Sequence, residues 1–514
     1  MDTPPVILEV SCRGSIVMDT GITMADDKTK IIAGIGWLVA LNWTNRLLGF
    51  FSIIILARLL TPEDFGIMAI VLLALQLTET LTNIGSEQYF IQKNNATRED
   101  LNCAWSSNLL IKFITSVVFA LISPYIASLF NYQHIIPALL AIACLPAISA
   151  LSNGQIVQYK KDLNYKKYVV VSSLSKLLGS VSAIVLAIII QNYWALIIGA
   201  IISASFYSLF SYYFIKQRTS FALTGWHQQF QFSKWIILKS IIGHIRAKFD
   251  SWFAINIQGI SGLGGYNLAK DLVLLPSREL LSPMSEVFFT SIAKTELNSA
   301  EQKQQISKSI TIIYLLGFPI ALGWSLIAEP FVQVVLGSQW QPYVSTISAL
   351  GFLVITFAIG NFISHVMTAT GKVKQLFYYD LITLAFALIT LFSLLGFINN
   401  LNDMATIRVF IGIGIVLIGA LWLSFLKIIS LYQFLKPAVL PLFSAAIMAK
   451  LVPLLYLSQY MIEIELILTI VVAIFTYTIC ILIGCKFNAF GHEESKFIRG
   501  LVKHLYQITK NKIR

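Results

Sequence analysis

Residues Ser240–Phe289 read SIIGHIRAKFDSWFAINIQGISGLGGYNLAKDLVLLPSRELLSPMSEVFF. Gly259, Gly262, Gly264 and Gly265 form a hinge, and the segment on either side is long enough to cross a bilayer. Both segments carry charges where a lipid-facing helix carries leucine. The first holds His244, Arg246, Lys248 and Asp250; the second holds Lys270, Asp271, Arg278, Glu279 and Glu286. A charge at mid-bilayer costs about 2.5–3.5 kcal/mol even on the lenient insertion scale. These groups must therefore face one another or a water-filled cavity inside a helix bundle. Lys270, Leu274 and Arg278 fall on one helical face, and Arg246 lies one turn from Asp250. Pro276 and Pro283 predict a kink or break in the second segment.

The rest of the chain fits an all-α polytopic membrane protein. Of its 514 residues, 57% are hydrophobic and only 12% are charged, against roughly 25% charged in soluble domains. The net charge of +12 is spread over short loops, where Lys and Arg set orientation, and it points to no nucleic acid. The five cysteines form no C-x-x-C pair and read as reduced.

Apolar runs predict fourteen spans, near 34–58, 66–90, 104–130, 135–158, 168–190, 193–215, 234–257, 264–290, 309–336, 343–370, 375–398, 405–430, 438–459 and 463–485. Alternate connections carry the basic residues, among them Lys93 and Arg98, Lys160, Lys161, Lys166 and Lys167, and Lys372 and Lys374. The intervening ones (FNYQHII, QNYW, QGISGLGG, GSQWQPY) hold no Lys or Arg. This phase predicts an even number of spans with both termini in the cytoplasm. Residues 1–30 read as a disordered extension with Met24 as the natural start, and 487–514 as a basic cytoplasmic tail against the anionic leaflet.

Other polar groups lie in the spans. Arg46 needs an acidic partner, supplied by Glu79 or by a group elsewhere. Thr61 is placed to cap a helix that starts at Pro62, with Glu63 and Asp64 in its first turn. Lys112 and Lys176 read as snorkelling or, if they point inward, as additions to a cationic cavity, and Trp340 as an interfacial anchor or, alternatively, a sugar-stacking ring. Helices 12 to 14 read as apolar scaffold. EDFGIMAIV at 63–71 is echoed by GLGGYNLAKDLV at 262–273, as a six-plus-six repeat with two extra helices predicts. No P-loop, H-E-x-x-H or G-x-S-x-G motif occurs, and the predicted outer loops are short. That favours a transporter over an enzyme.

RLLGFFSIIILARLLTPEDFGIMAIV (46–71) and NIGSEQYFIQKNNATREDL (83–101) resemble the opening of the Wzx-type oligosaccharide flippases. These form the polysaccharide transporter branch of the multidrug/oligosaccharidyl-lipid/polysaccharide exporter superfamily. LGGYNLAKDLVLLPSRELLSPMSEVFFTSIAK (263–294) and VVLGSQWQPYVSTISAL (334–350) match the second half of that pattern. The resemblance implies a MATE-like fold of two six-helix lobes around a central cavity, here helices 1–6 in 31–232 and helices 7–12 in 233–435, with helices 13 and 14 in 436–486. It implies a bacterial inner-membrane flippase that moves an undecaprenyl-pyrophosphate-linked oligosaccharide repeat unit outward for O-antigen, capsule or exopolysaccharide synthesis. It further implies alternating access coupled to a proton or sodium gradient, no bound cofactor or metal, and, as working partners, membrane lipids, a polysaccharide polymerase and a chain-length regulator.

On this reading Arg46, Arg246, Lys248, Lys270 and Arg278 replace water around the anionic cargo, while Glu79, Asp250 and Asp271 serve ion coupling or charge balance. The plainer alternative pairs Arg246 with Asp250 and Lys270 with Asp271 as internal salt bridges. The rivals are a drug or organic-cation antiporter of the same superfamily, whose cavity would be acidic and aromatic, and a membrane enzyme of polysaccharide assembly, which would need a long outer loop.

Overall fold

The structure is a computed structural model. It describes residues 24–82, 85–93, 96–162, 164–224, 226–297, 299–455, 461–486 and 500. The expected extension up to residue 23, and the basic tail apart from residue 500, lie outside the described residues. Within the stretch read as an extension, a helix already begins at Met24.

The described chain is helical throughout. In the first half run α1 (Met24–Leu59), α2 (Pro62–Thr82), α3 (Ser86–Gln92), α4 (Arg98–Leu129), α5 (Ile136–Ile142), α6 (Leu145–Ala150), α7 (Gln155–Lys161), α8 (Lys166–Ile190) and α9 (Trp194–Phe214). In the second run α10 (Trp226–Pro276), α11 (Ser282–Ala293), α12 (Ala300–Phe331), α13 (Val344–Leu350), α14 (Leu353–Ala369), α15 (Val373–Leu394), α16 (Leu401–Phe425), α17 (Leu431–Leu435), α18 (Val439–Leu451) and α19 (Ile462–Lys486). Among the described residues ten helical stretches are long and apolar enough to cross a membrane, or eleven if the bent pair Ser338–Leu350 and Leu353–Ala369 forms one span. This is a multi-pass membrane protein. The expected spans 1, 7 and 8 are helical too, within α1, α10 and α11, but they are not among those stretches. The expected fourth span is broken into short helices, with Pro137 and Pro146 opening two of them and Gly154 preceding the third.

The expected hinge is real. Gln258 and Gly259 leave helical geometry inside α10, with Gly259 at φ 68°. A side chain is strained there, and glycine is not. After Pro276, which cannot donate to the helical ladder, residues Ser277–Leu281 form a π-helical turn before α11 resumes.

The two echoed stretches pack against each other. A Cβ on Gly66 would overlap the carbonyl of Ile260, and one on Gly264 would overlap that of Pro62. Each glycine thus abuts the carbonyl one turn before the other, a reciprocal crossing that joins the two halves at backbone distance. Thr61 caps α2 as predicted: its hydroxyl accepts from the Asp64 amide (3.3 Å), and the Asp64 carboxylate accepts from the Thr61 amide (2.9 Å). The other Asp64 oxygen accepts from the Tyr193 amide at 2.8 Å, tying α9 to α2.

Segment 337–343 of the second half seals one end of this crossing. The Trp340 indole donates to the Ala57 carbonyl at 2.7 Å, and the Gln339 amide donates to the same oxygen at 2.6 Å. Both satisfy a carbonyl in the last turn of α1 that has no helical partner. Arg58 donates back to the carbonyls of Val334 and Val335, and the Tyr343 hydroxyl donates to the Ser261 carbonyl at 2.8 Å. Trp340 is therefore neither an interfacial anchor nor a free stacking ring. It is 1% exposed and packs edge-on to Phe65. The basic connections gather separately: Lys160 pairs with Glu87 (2.8 Å), and Lys161 donates to the carbonyls of Phe90 and Lys93.

Candidate functional site

A cavity of about 670 Å³ lies where α2, both halves of α10, α14 and α16 meet. Among the described residues its charged lining consists of Lys248, Lys270, Asp271, Arg278 and Arg408, four cations against one carboxylate. Gln76, Asn267, Thr356, Asn361 and Ser364 add uncharged hydrogen-bonding groups. The face predicted from spacing is present: Lys270, Leu274 and Arg278 all line this cavity.

Asp250 stands behind that wall. It is 1% exposed and is not part of the lining. Its carboxylate accepts from Lys270 Nζ at 2.9 and 3.0 Å, from Arg408 Nε at 3.2 Å and from the Tyr266 hydroxyl at 3.1 Å. One buried anion thus holds two cations in place and leaves the cluster with an excess positive charge toward the cavity. Arg408 lies on α16, which the sequence reading took for apolar scaffold. Its signal was available: a lone arginine inside a 25-residue helix of mean hydropathy high enough to span needs a partner just as Arg46 does.

Of the pairs foreseen from sequence, Lys270–Asp271 does not form: Lys270 pairs with Asp250, and Asp271 with Arg278 at 3.0 Å. Lys270 and Asp271 are consecutive on a helix and point about 100° apart, so they cannot meet. The Arg246 side chain lies outside the described residues. Lys248 is half-buried, lines the cavity and has no hydrogen-bond or ion-pair partner among the described residues.

Arg46 and Glu79 are in other places. Arg46 pairs with Glu279 across α1 and the π-helical turn. They line a side cavity of about 340 Å³, together with Lys176, which donates to the Asn45 carbonyl at 2.6 Å rather than snorkelling. This side cavity shares Gly49, Ile53, Asp271 and Arg278 with the central one. Glu79 faces a third cavity within the first half and is not part of the central lining. Glu286 is exposed and lines neither the central nor the side cavity, contrary to the expectation that every charge of the pair of segments turns inward. Among the described residues no group of three His, Cys, Asp or Glu side chains comes together to hold a metal.

Residues 55–345 match the family model described as polysaccharide biosynthesis protein. The chain belongs to that family. It is 23% identical over 363 residues to the lipopolysaccharide biosynthesis protein WzxC of Escherichia coli (strain K12), covering 69% of this chain and 73% of that one. It is 24% identical over 364 residues to the succinoglycan biosynthesis transport protein ExoT of Rhizobium meliloti (strain 1021), covering 68% and 72%. Among solved structures it resembles the lipid II flippase MurJ in an inward closed conformation (TM-score 0.67, 17% identity, 91% of this chain and 100% of that chain). It also resembles an inward-facing MATE family multidrug transporter of the MOP superfamily (TM-score 0.57, 14% identity, 74% and 94%). The fold is therefore shared with MurJ and with that MATE transporter, and this family member is a membrane protein of polysaccharide biosynthesis.

Proposed function

We propose that this protein is a flippase that carries lipid-linked oligosaccharide repeat units, built on undecaprenyl pyrophosphate, across the bacterial inner membrane for surface polysaccharide synthesis. The observation that carries the reading is the central cavity, which among the described residues has four cations to one carboxylate, one of those cations, Lys248, being unpaired there. An anionic head group with a pyrophosphate suits that field, whereas an organic cation would meet like charge. Lys248, Lys270, Arg278 and Arg408 would replace water around the phosphates. Asp250 would keep Lys270 and Arg408 in position without facing cargo. Arg46, with Glu279, belongs to the side cavity, whose shared wall with the central one gives a head group a lateral route while the polyprenyl tail stays in lipid.

In this reading α1 and the two halves of α10 with α11 also cross the membrane, which brings the count to fourteen, in two six-helix lobes (31–232 and 233–435) and a C-terminal pair (436–486). Both termini lie in the cytoplasm, and the 337–343 seal closes the outer face. Opening outward requires that seal and the Gly66–Gly264 crossing to part while the basic side closes. Proton or sodium coupling, if it acts at Asp271, would work by releasing Arg278 to the cargo.

The test is reconstitution. Proteoliposomes of the wild type should move a labelled polyprenyl-pyrophosphate saccharide between leaflets and fail to take up ethidium. Lys248→Gln should slow flipping at least tenfold with unchanged thermal stability, because Lys248 holds nothing in place. Uptake of the dye without lipid flipping would overturn the reading in favour of drug export.

A further inference from the structure

The first half contains a separate cavity of about 410 Å³ among α2, α3, α4, α7 and α9, and it shares no lining residue with the central one. Two of its charged groups satisfy each other: Lys160 Nζ lies 2.8 Å from the Glu87 carboxylate and 4.2 Å over the Tyr168 ring. Two others do not. Glu79 on α2 and Lys112 on α4 both line the cavity and are half-buried. Neither side chain has a hydrogen-bond or ion-pair partner among the described residues, nor does one pair with the other.

A half-buried charge without a partner loses hydration and gains nothing in return. The lining therefore selects its occupant. A neutral sugar leaves both charges unmatched, an anion leaves Glu79 and a cation leaves Lys112. An occupant with opposite charges at its two ends matches both. Trp105 and Tyr207 also line this space, and the Trp105 ring is fixed by its indole donating to the Ser152 carbonyl at 2.8 Å. Aromatic faces in the same lining offer an ammonium group further contact. We infer that this cavity binds a zwitterion of the phosphoethanolamine type, with its ammonium toward Glu79 and its phosphate toward Lys112.

The site stands apart from whatever the central cavity carries. Helices α3 and α7, which form part of its wall, adjoin Lys93, Arg98 and Lys161 at the end of the bundle assigned to the cytoplasm. Both a phospholipid head group of the inner leaflet and a soluble phosphoethanolamine can reach it there.

The experiment measures thermal unfolding of the full-length protein, purified in detergent, with added short-chain phosphatidylethanolamine, phosphatidylglycerol or free phosphoethanolamine. Phosphatidylethanolamine should raise the midpoint, as any ligand of the folded state does, and phosphatidylglycerol should not. Glu79→Gln and Lys112→Met should each abolish the rise, while Lys112→Arg and the central-cavity variant Lys248→Gln keep it. A rise with phosphoethanolamine alone identifies a soluble ligand; a rise only with the lipid identifies the head group. Equal rises with both lipids, or a rise that survives in Glu79→Gln and Lys112→Met, would overturn the proposal. If neither neutral variant folds, native mass spectrometry of the wild type decides. Bound phosphatidylethanolamine that resists exchange with phosphatidylglycerol supports the site, and free exchange overturns it.

Discussion

Asp250 and Lys248 lie two residues apart on α10 and have opposite tasks. Asp250 is fully buried beneath two cations and a tyrosine hydroxyl. Removing one member of such a buried cluster leaves uncompensated charge and typically costs about 3–5 kcal/mol. Asp250→Asn should therefore lower the unfolding midpoint in detergent and cut membrane accumulation, whereas Arg408→Met, which leaves the Lys270–Asp250 pair intact, should cost less. A midpoint unchanged by Asp250→Asn would show that the cluster does not hold the fold. Lys248→Gln should do the reverse, with stability kept and transport lost. At this scale the sequence disclosed Lys248, Asp250, Lys270 and Arg278 as residues that do not face lipid, because a charge in an apolar helix is visible in the letters, but it missed Arg408 and wrongly turned Glu286 inward. It did not disclose their partners. Lys270 lies 20 positions from Asp250 and Arg408 lies 158 away, and only the packing of three helices brings them together.

The hinge in α10 and a break after Pro276 were legible as elements, each for a local reason: Gly259 tolerates positive φ, and Pro276 lacks an amide hydrogen. The echo of EDFG in GLGG read as a repeat, and that its two copies meet in one reciprocal contact was not legible. The role of Trp340 was not legible. A tryptophan in an uncharged loop reads the same whether it meets lipid or the unsatisfied carbonyls at the end of α1. The crossing gives a direct test of gating. Gly66→Ala should wedge the crossing apart, because the added Cβ meets the Ile260 carbonyl, and so raise the labelling rate of a cysteine placed at Ser261 by an impermeant thiol reagent. Labelling unchanged from that of the glycine protein would mean the crossing does not close that side. Trp340→Ala, which removes the indole–Ala57 hydrogen bond and its packing on Phe65, should raise the labelling rate of a cysteine placed at Ser261 by an impermeant thiol reagent.

For the whole molecule, hydropathy carried most of the helix placement. The stretches that pass the spanning test all coincide with expected spans; α1, α10 and α11 are not among them, whereas α8 and α16 pass although Lys176 and Arg408 line cavities. A green fluorescent protein fused after residue 486 should fluoresce, and alkaline phosphatase fused at Asn399 should be active; the opposite pattern would reverse the assigned topology. The cargo was not legible, since a cationic cavity specifies an anionic head and no particular sugar. The most direct measurement of the central claim is the leaflet distribution of lipid-linked repeat units in cells deleted for this protein. We predict that they accumulate on the cytoplasmic side and that surface polymer is lost. The wild type should restore both, whereas a Lys248→Gln, Arg278→Ala double variant expressed at the same level should not. Repeat units that reach the outer leaflet normally in the deletion strain would contradict the account.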